Sequence, residues 1–146
     1  MPEKETLKRA KKDKREGKAA STQAGEFVRE EIEHIREGKH GARSAKQAIA
    51  IGLSKARRAG VKLPASKGSS KKVKEQAARD IRKGQSAGKR KTSAKRSRAM
   101  RAKLKKEGRS AASKTALSRQ AHRAAAKRSA ASRSKAAKKA AATRKK

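Results

Sequence analysis

STQAGEFVREEIEHIREGKHGARSAKQAIAIGLSKARRAGVKLP, residues 21–64, is the stretch whose reading decides the fold. Wound at about 100° per residue, positions 24–37 bring Ala24, Phe27, Val28, Ile32 and Ile35 to one face. Ser21 and Thr22 stand in front as N-cap residues, and Gly38 and Gly41 interrupt the pattern behind. A second run opens at Ser44, another N-cap. It spaces Ala45, Ala48, Ile49, Gly52, Leu53 and Ala56 as one apolar stripe of an amphipathic helix. Gly60 suits the left-handed position after the helix, Val61 the contact that follows it, and Pro64 bars continuation. Two such helices joined by the short GKHGAR turn predict an all-α, helix-turn-helix-like α-hairpin.

Outward from the hairpin the apolar content collapses. Sixteen residues are Val, Ile, Leu, Met or Phe, and nine of them lie between Phe27 and Leu63. The other 109 positions share seven, too few to offset the entropy of ordering the chain around them. The expected organisation is therefore a basic N-terminal arm at 1–20, the hairpin at 21–64, and a Lys/Arg/Ala/Ser-rich tail at 65–146. Leu7 alone does not anchor a helix face, so the N-terminal arm is expected to be disordered. Within the tail, residues 73–81 and 96–104 read as short helices, and the remainder as conditionally helical. A hairpin of about 45 residues is marginal alone, which favours a homodimer or a bound polyanion. Ile51, on the polar side of the second helix, is a weak mark of such an interface. A faint echo links EGKHGARSAKQAIAIGLSKARRA at 37–59 with EGRSAASKTALSRQAHRAA at 107–125, which shared composition also accounts for.

Charge names the partner class. There are 47 Lys+Arg against 12 Asp+Glu, a formal net charge of +35, and a pI near 11.7. This is the electrostatic footprint of a polyanion binder. Neutralising about 35 charges corresponds to ~60 Å of duplex, or ~17 base pairs. Cysteine is absent, which excludes disulfides and Cys-ligated metals. The start, MPEKETLKRAKKDK, lacks an apolar signal region, and the longest apolar run, 48–53, is far below a membrane span. A cytoplasmic protein is expected, with no membrane partner.

Nothing in the sequence builds an active site. Ser132 and Lys135 match an SxxK pattern that a chain this rich in Ser and Lys generates by composition. Glu30 and His34 at i, i+4, with Glu37 and His40 nearby, suggest a carboxylate/imidazole metal site. A solvated helix face accounts for the same residues, so neither metal nor cofactor is expected, and no enzyme activity. The same twelve residues, EFVREEIEHIRE, hold five of the twelve acids. Glu26, Glu30, Glu33 and Glu37 are expected to form an outward stripe, a back that avoids phosphate or docks a basic segment.

The candidate nucleic-acid contacts are therefore basic. In and around the hairpin they are Lys39, Arg43, Lys46, Lys55, Arg57, Arg58 and Lys62. The next group is Lys89, Arg90, Lys91, Lys95, Arg96, Arg98, Arg101, Lys103, Lys105 and Lys106. The last is Arg109, Lys114, Arg119, Arg123, Lys127, Arg128, Arg133, Lys135, Lys138, Lys139, Arg144, Lys145 and Lys146. No aromatic follows Phe27, so stacking on unpaired bases is not available. Duplex phosphate, read with little sequence preference, fits better.

The stretch at 21–64 resembles a family of small, basic bacterial proteins of unknown function, loosely labelled plasmid stabilisation proteins. The resemblance implies a bacterial cytoplasmic protein with a link to DNA, and supplies no active residues. The tail, ending SRSKAAKKAAATRKK, is similar in composition to linker-histone tails and bacterial histone-like proteins, although it lacks their proline. Together these readings predict a non-enzymatic, histone-like, nucleoid-associated DNA-binding protein. The rivals are an RNA- or ribosome-associated basic protein and a plasmid-maintenance regulator acting through hairpin protein–protein contacts.

Overall fold

The computed structural model describes residues 2–86 and 93–144, and among them there are helices but no strand. In chain order they are α1 (Lys4–Arg15), α2 (Ala20–Arg36), α3 (Ala45–Arg58), α4 (Lys71–Gln85) and α5 (Ala94–Lys106). A single 3₁₀ turn (Ser110–Ala112), α6 (Lys114–Ala126) and α7 (Ala130–Arg144) follow.

The hairpin is α2 against α3. Its contact is built from small residues: Ala45, Ala48, Gly52 and Ala56 are the buried positions of α3, apart from Arg57. Gly52 sets the distance of approach, since a Cβ there would lie 2.6 Å from Val28 Cα. One apolar cluster gathers Phe27, Ala24, Ala56, Val61 and Ala10, with Leu7, Ala20, Leu53 and Leu63 packed around it. A second gathers Ile35, Ala42, Ala48, Ala111 and Ala112, with Ile32 alongside.

The helix ends follow their chemistry. Ser44 Oγ accepts the Gln47 N–H at 3.2 Å, and the Gln47 side chain returns to the Arg43 N–H at 2.9 Å. This is a close relative of the reciprocal capping box. Gly60 adopts φ 101°, and Val61 N–H reaches the Ala56 carbonyl at 3.1 Å. That six-residue closure is the expected Schellman end, with Val61 and Ala56 in one apolar cluster. The start of α2 differs from expectation: the cap is Ala19, and Ser21 and Thr22 lie exposed in the first turn. Packing of Ala20 against the first cluster carries the helix past the two hydroxyl residues.

The flanks also differ. Residues 4–15 form a helix that packs on α2, with Thr6, Ala10 and Asp13 buried. Leu7 has help that an apolar count does not reveal. Arg9 Nε reaches Glu26 Oε2 at 2.6 Å, and the Glu3 N–H donates to Glu30 Oε2 at 3.1 Å. The acidic stripe is an outward back only in part: Glu33 and Glu37 keep about half of their side-chain surface in solvent, whereas Glu26 and Glu30 turn inward. Glu30 and Glu31 are only 2% and 1% exposed, and Glu26 is half-buried beneath α1. The basic segment it docks is the chain's own N-terminal arm.

C-terminal to the hairpin, α4 packs on α3 through Ala77 and Asp80. Gly84 meets the α3 terminus so closely that a Cβ would sit 2.2 Å from the Arg57 carbonyl oxygen. The 3₁₀ turn inserts Ala111 and Ala112 against α2 and α3, and Arg36 Nε–H donates to the Ala112 carbonyl at 2.9 Å. Backbone bonds from Gly41 to Leu104 (2.9 Å) and from Ala42 to Gly108 (3.1 Å) set the hairpin turn beside the end of α5 and the residues after it. Part of the area that the hairpin lacks thus comes from its own flanks. In contrast, α5, α6 and α7 contain no buried residue.

Gly52→Ala is expected to destabilise the fold by about 1–3 kcal/mol through overpacking against the Val28 backbone. Urea denaturation followed by far-ultraviolet circular dichroism measures it.

Candidate nucleic-acid interface

The basic residues divide into two populations. The first is consumed by the fold. Lys55 Nζ lies 2.5 Å from Glu31 Oε2 and 3.5 Å from Glu30 Oε1. Arg57 is buried and its Nε–H donates to the Leu63 carbonyl at 2.7 Å. Arg58 Nε–H donates to Asp80 Oδ1 at 2.8 Å, and Lys39 Nζ sits 2.9 Å from Glu37 and 3.4 Å from Glu3. Each of these side chains was expected to grip phosphate; Lys55 and Arg57 are held within the body, while Arg58 and Lys39 are paired yet exposed.

The second population is exposed. Arg43, Lys46 and Lys62 remain outward on the hairpin. So do Lys95, Arg96, Arg98, Arg101, Lys103, Lys105 and Lys106 on α5, and Arg109 beyond it. Lys114, Arg119, Arg123, Lys127, Arg128, Arg133, Lys135, Lys138, Lys139 and Arg144 are exposed along α6 and α7. Lys89, Arg90, Lys91, Lys145 and Lys146 lie outside the described residues. Among the described residues every ion pair falls between Glu3 and Asp80. The cations of α5, α6 and α7 therefore have no carboxylate partner there.

Two groupings were not legible beforehand. Lys39, Lys105 and Arg109 line one recess where the hairpin turn meets the segment after α5. That proximity depends on the backbone pairing of 41–42 with 104–108, which periodicity does not encode. Lys8, Lys11, Lys14 and Arg15 share a shallow groove on α1. Their i, i+3, i+4 spacing signals one face only once the segment is known to be helical.

Asp80 organises the α3–α4 contact. Burial pushes its carboxyl up, but the bonds from Arg58, Ser54 (2.8 Å) and Gln76 (3.1 Å), with the Arg58 charge, outweigh it. The net effect holds it below its ordinary value of 3.8. A carboxyl whose folded pKa is depressed adds stability that is complete above its unfolded pKa and vanishes as pH falls through the folded value. Asp80→Asn is therefore expected to cost about 1–3 kcal/mol at neutral pH. The gap from the parent protein should close as pH drops below about 4, as measured by urea denaturation across pH.

These features define an all-helical, strongly basic protein with an internally ion-paired hairpin body and C-terminal helices of unpaired cations. Residues 4–67, from α1 through the loop after α3, match a family of unknown function (DUF6496). No curated protein and no solved structure matches the chain. Among the described residues, no helix is long and apolar enough to cross a membrane.

Proposed function

We propose that the chain is a non-enzymatic, histone-like DNA-binding protein of the nucleoid. Its C-terminal helices engage the duplex phosphate backbone, while α1–α4 form the body that carries them. The observation that supports this reading is the absence of carboxylate partners for the cations of α5–α7 among the described residues. From residue 86 onward the sequence holds 23 Lys/Arg and one acid, Glu107, a formal +22. On α7 the cations at 133, 135, 138, 139 and 144 point around the whole circumference, and no apolar face competes for them. Such a helix suits a charged groove or a neutralised backbone, not a protein core. Phosphate contact of this kind positions without reading bases.

Deleting residues 65–146 would not test this cleanly, because it removes Ala77, Asp80, Ala111 and Ala112 from the packed body. Neutralising α7 leaves the body intact. With ~10 phosphate contacts, log K should fall against log salt with a slope near −9. Replacing Arg133, Lys135, Lys138, Lys139 and Arg144 with Gln should flatten that slope by up to ~4.5 and weaken all duplex sequences alike. Fluorescence-anisotropy titrations over a salt series measure both. An unchanged slope in the variant overturns the tail mechanism. A preference for structured RNA over duplex at matched salt transfers the reading to RNA.

A further inference from the structure

The acidic helix meets two of the three histidines. Glu31 and His34 stand at i, i+3 on α2 and share a face. Beyond them Gly38, at φ 78°, reverses the chain, with Lys39 N–H bonded to the His34 carbonyl at 3.0 Å. That turn brings His40 back onto α2. One carboxylate oxygen of Glu31 and one ring nitrogen from each of His34 and His40 then lie within 4.8 Å of one another. The two imidazoles stand edge to face, their centroids 6.2 Å apart.

Hydrogen bonding assigns the protons on both rings. His40 Nδ1 lies 3.1 Å from the Gly41 carbonyl oxygen, which only accepts, so Nδ1 is the donor. In the neutral ring, Nε2 then presents a lone pair, and it faces Glu31 Oε1 at 3.2 Å. Two acceptors at that distance repel unless a cation lies between them: a second proton or a metal ion. His34 Nε2 lies 2.8 Å from Glu3 Oε1, which makes Nε2 its donor and leaves Nδ1 with the lone pair. A carbonyl behind one imidazole and a carboxylate behind the other is the outer shell that orients metal-binding histidines.

Charge points the same way. Glu3, Glu30, Glu31 and Glu37 surround the cluster, and Lys39 and Lys55 are the ammoniums paired with them. With neutral imidazoles these four carboxylates pair with two ammoniums; Lys105 and Arg109 add positive charge, and Glu107 a fifth carboxylate, in the recess beside His40, which leaves a net of one negative charge. Glu30 Oε1 and Glu31 Oε2 are buried without a well-directed hydrogen bond; among the described residues the Lys55 ammonium is the cation that pairs with them. Lys55 occupies the Oε2 side of Glu31, which leaves Oε1 toward the histidines.

We propose that Glu31, His34 and His40 bind a divalent first-row transition metal of the zinc class. A two-histidine, one-carboxylate set is a recurrent zinc donor set. The ion fastens the hairpin turn to α2 and neutralises the buried acids. Sequence spacing singled out Glu30 at i, i+4 from His34, yet the carboxylate that converges is its neighbour Glu31. The inference does not depend on the nucleic-acid reading.

Untagged full-length protein, stripped with chelator, is titrated with Zn²⁺ and with Co²⁺. The expected results are one bound equivalent, visible Co²⁺ absorption of a low-coordinate site, and a Tm raised by roughly 10 °C at Zn²⁺ near a hundredfold above Kd. In ¹⁵N imidazole spectra, His34 and His40 should shift and His122 should not. His34→Gln and His40→Gln should each weaken binding by about 100-fold or more, and His122→Gln should not. Absence of saturable binding overturns the proposal. So does binding that survives both cluster variants while their helix content is intact. A neutral-pH spectrum in which His40 holds both protons and no Zn²⁺ binds also overturns it, assigning the gap to a proton.

Discussion

Two adjacent glutamates buried side by side, Glu30 and Glu31, impose the constraint that the rest of the body answers. Burial without compensation would cost several kcal/mol per charge. Compensation arrives from two directions: the Glu3 backbone N–H ahead of α1 and Lys55 on α3. Each partner comes from a different element, so the pair fixes how those elements meet. Ordinary apolar burial is too sparse to do this alone. Apart from Phe27, Ile35 and Val61, the buried hydrophobic residues are all alanines.

Close approach provides what side-chain volume does not. Alanine contributes little area, but it lets backbones come near, and Gly52, Gly84 and Gly41 mark the places where they do. At Gly41 a Cβ would lie 1.9 Å from the Glu107 carbonyl oxygen, so the turn and the segment after α5 touch backbone to backbone. Dispersion summed over such contacts is individually weak and collectively large. Polar fastenings then hold the register: Arg36 to the Ala112 carbonyl, Arg58 to Asp80, Arg9 to Glu26.

The hairpin was legible because its signals are local. Apolar spacing, the Ser44 cap and the Gly60 stop each act within a turn or two of helix. Around the hairpin, the helices expected at 73–81 and 96–104 fall inside α4 and α5, but the α1 helix and the packing of α1 and α4 on the hairpin were not legible, because they rest on ion pairs and small residues, which carry no periodic apolar signature. The same blindness misplaced Glu30. On a helical wheel, a carboxylate reads as outward unless its cation is known, and Lys55 stands more than twenty residues away. Lys39, Lys55, Arg57 and Arg58 were expected among the phosphate ligands, and their pairings were not legible for the converse reason: sequence shows a basic residue but not which carboxylate or carbonyl it meets.

The acidic island and the basic tail are two halves of one arrangement. With eleven of the twelve acids before residue 81, carboxylates are available to neutralise the body's cations and scarcely any reach the tail. The tail's helices are left with self-repulsion, which alanine's helix propensity opposes only in part. Yet α6 does not begin adrift: Ala111 and Ala112 are seated in the body, and Ser113 caps the helix that follows by accepting the Ala116 N–H at 3.1 Å. Nucleation is the costly step in forming a helix, and here it is anchored beside a packed core. Phosphates along a duplex would then remove the repulsion from helices whose first turn is already set. Under the proposed function, the body's contribution is thus to fix where α6 starts.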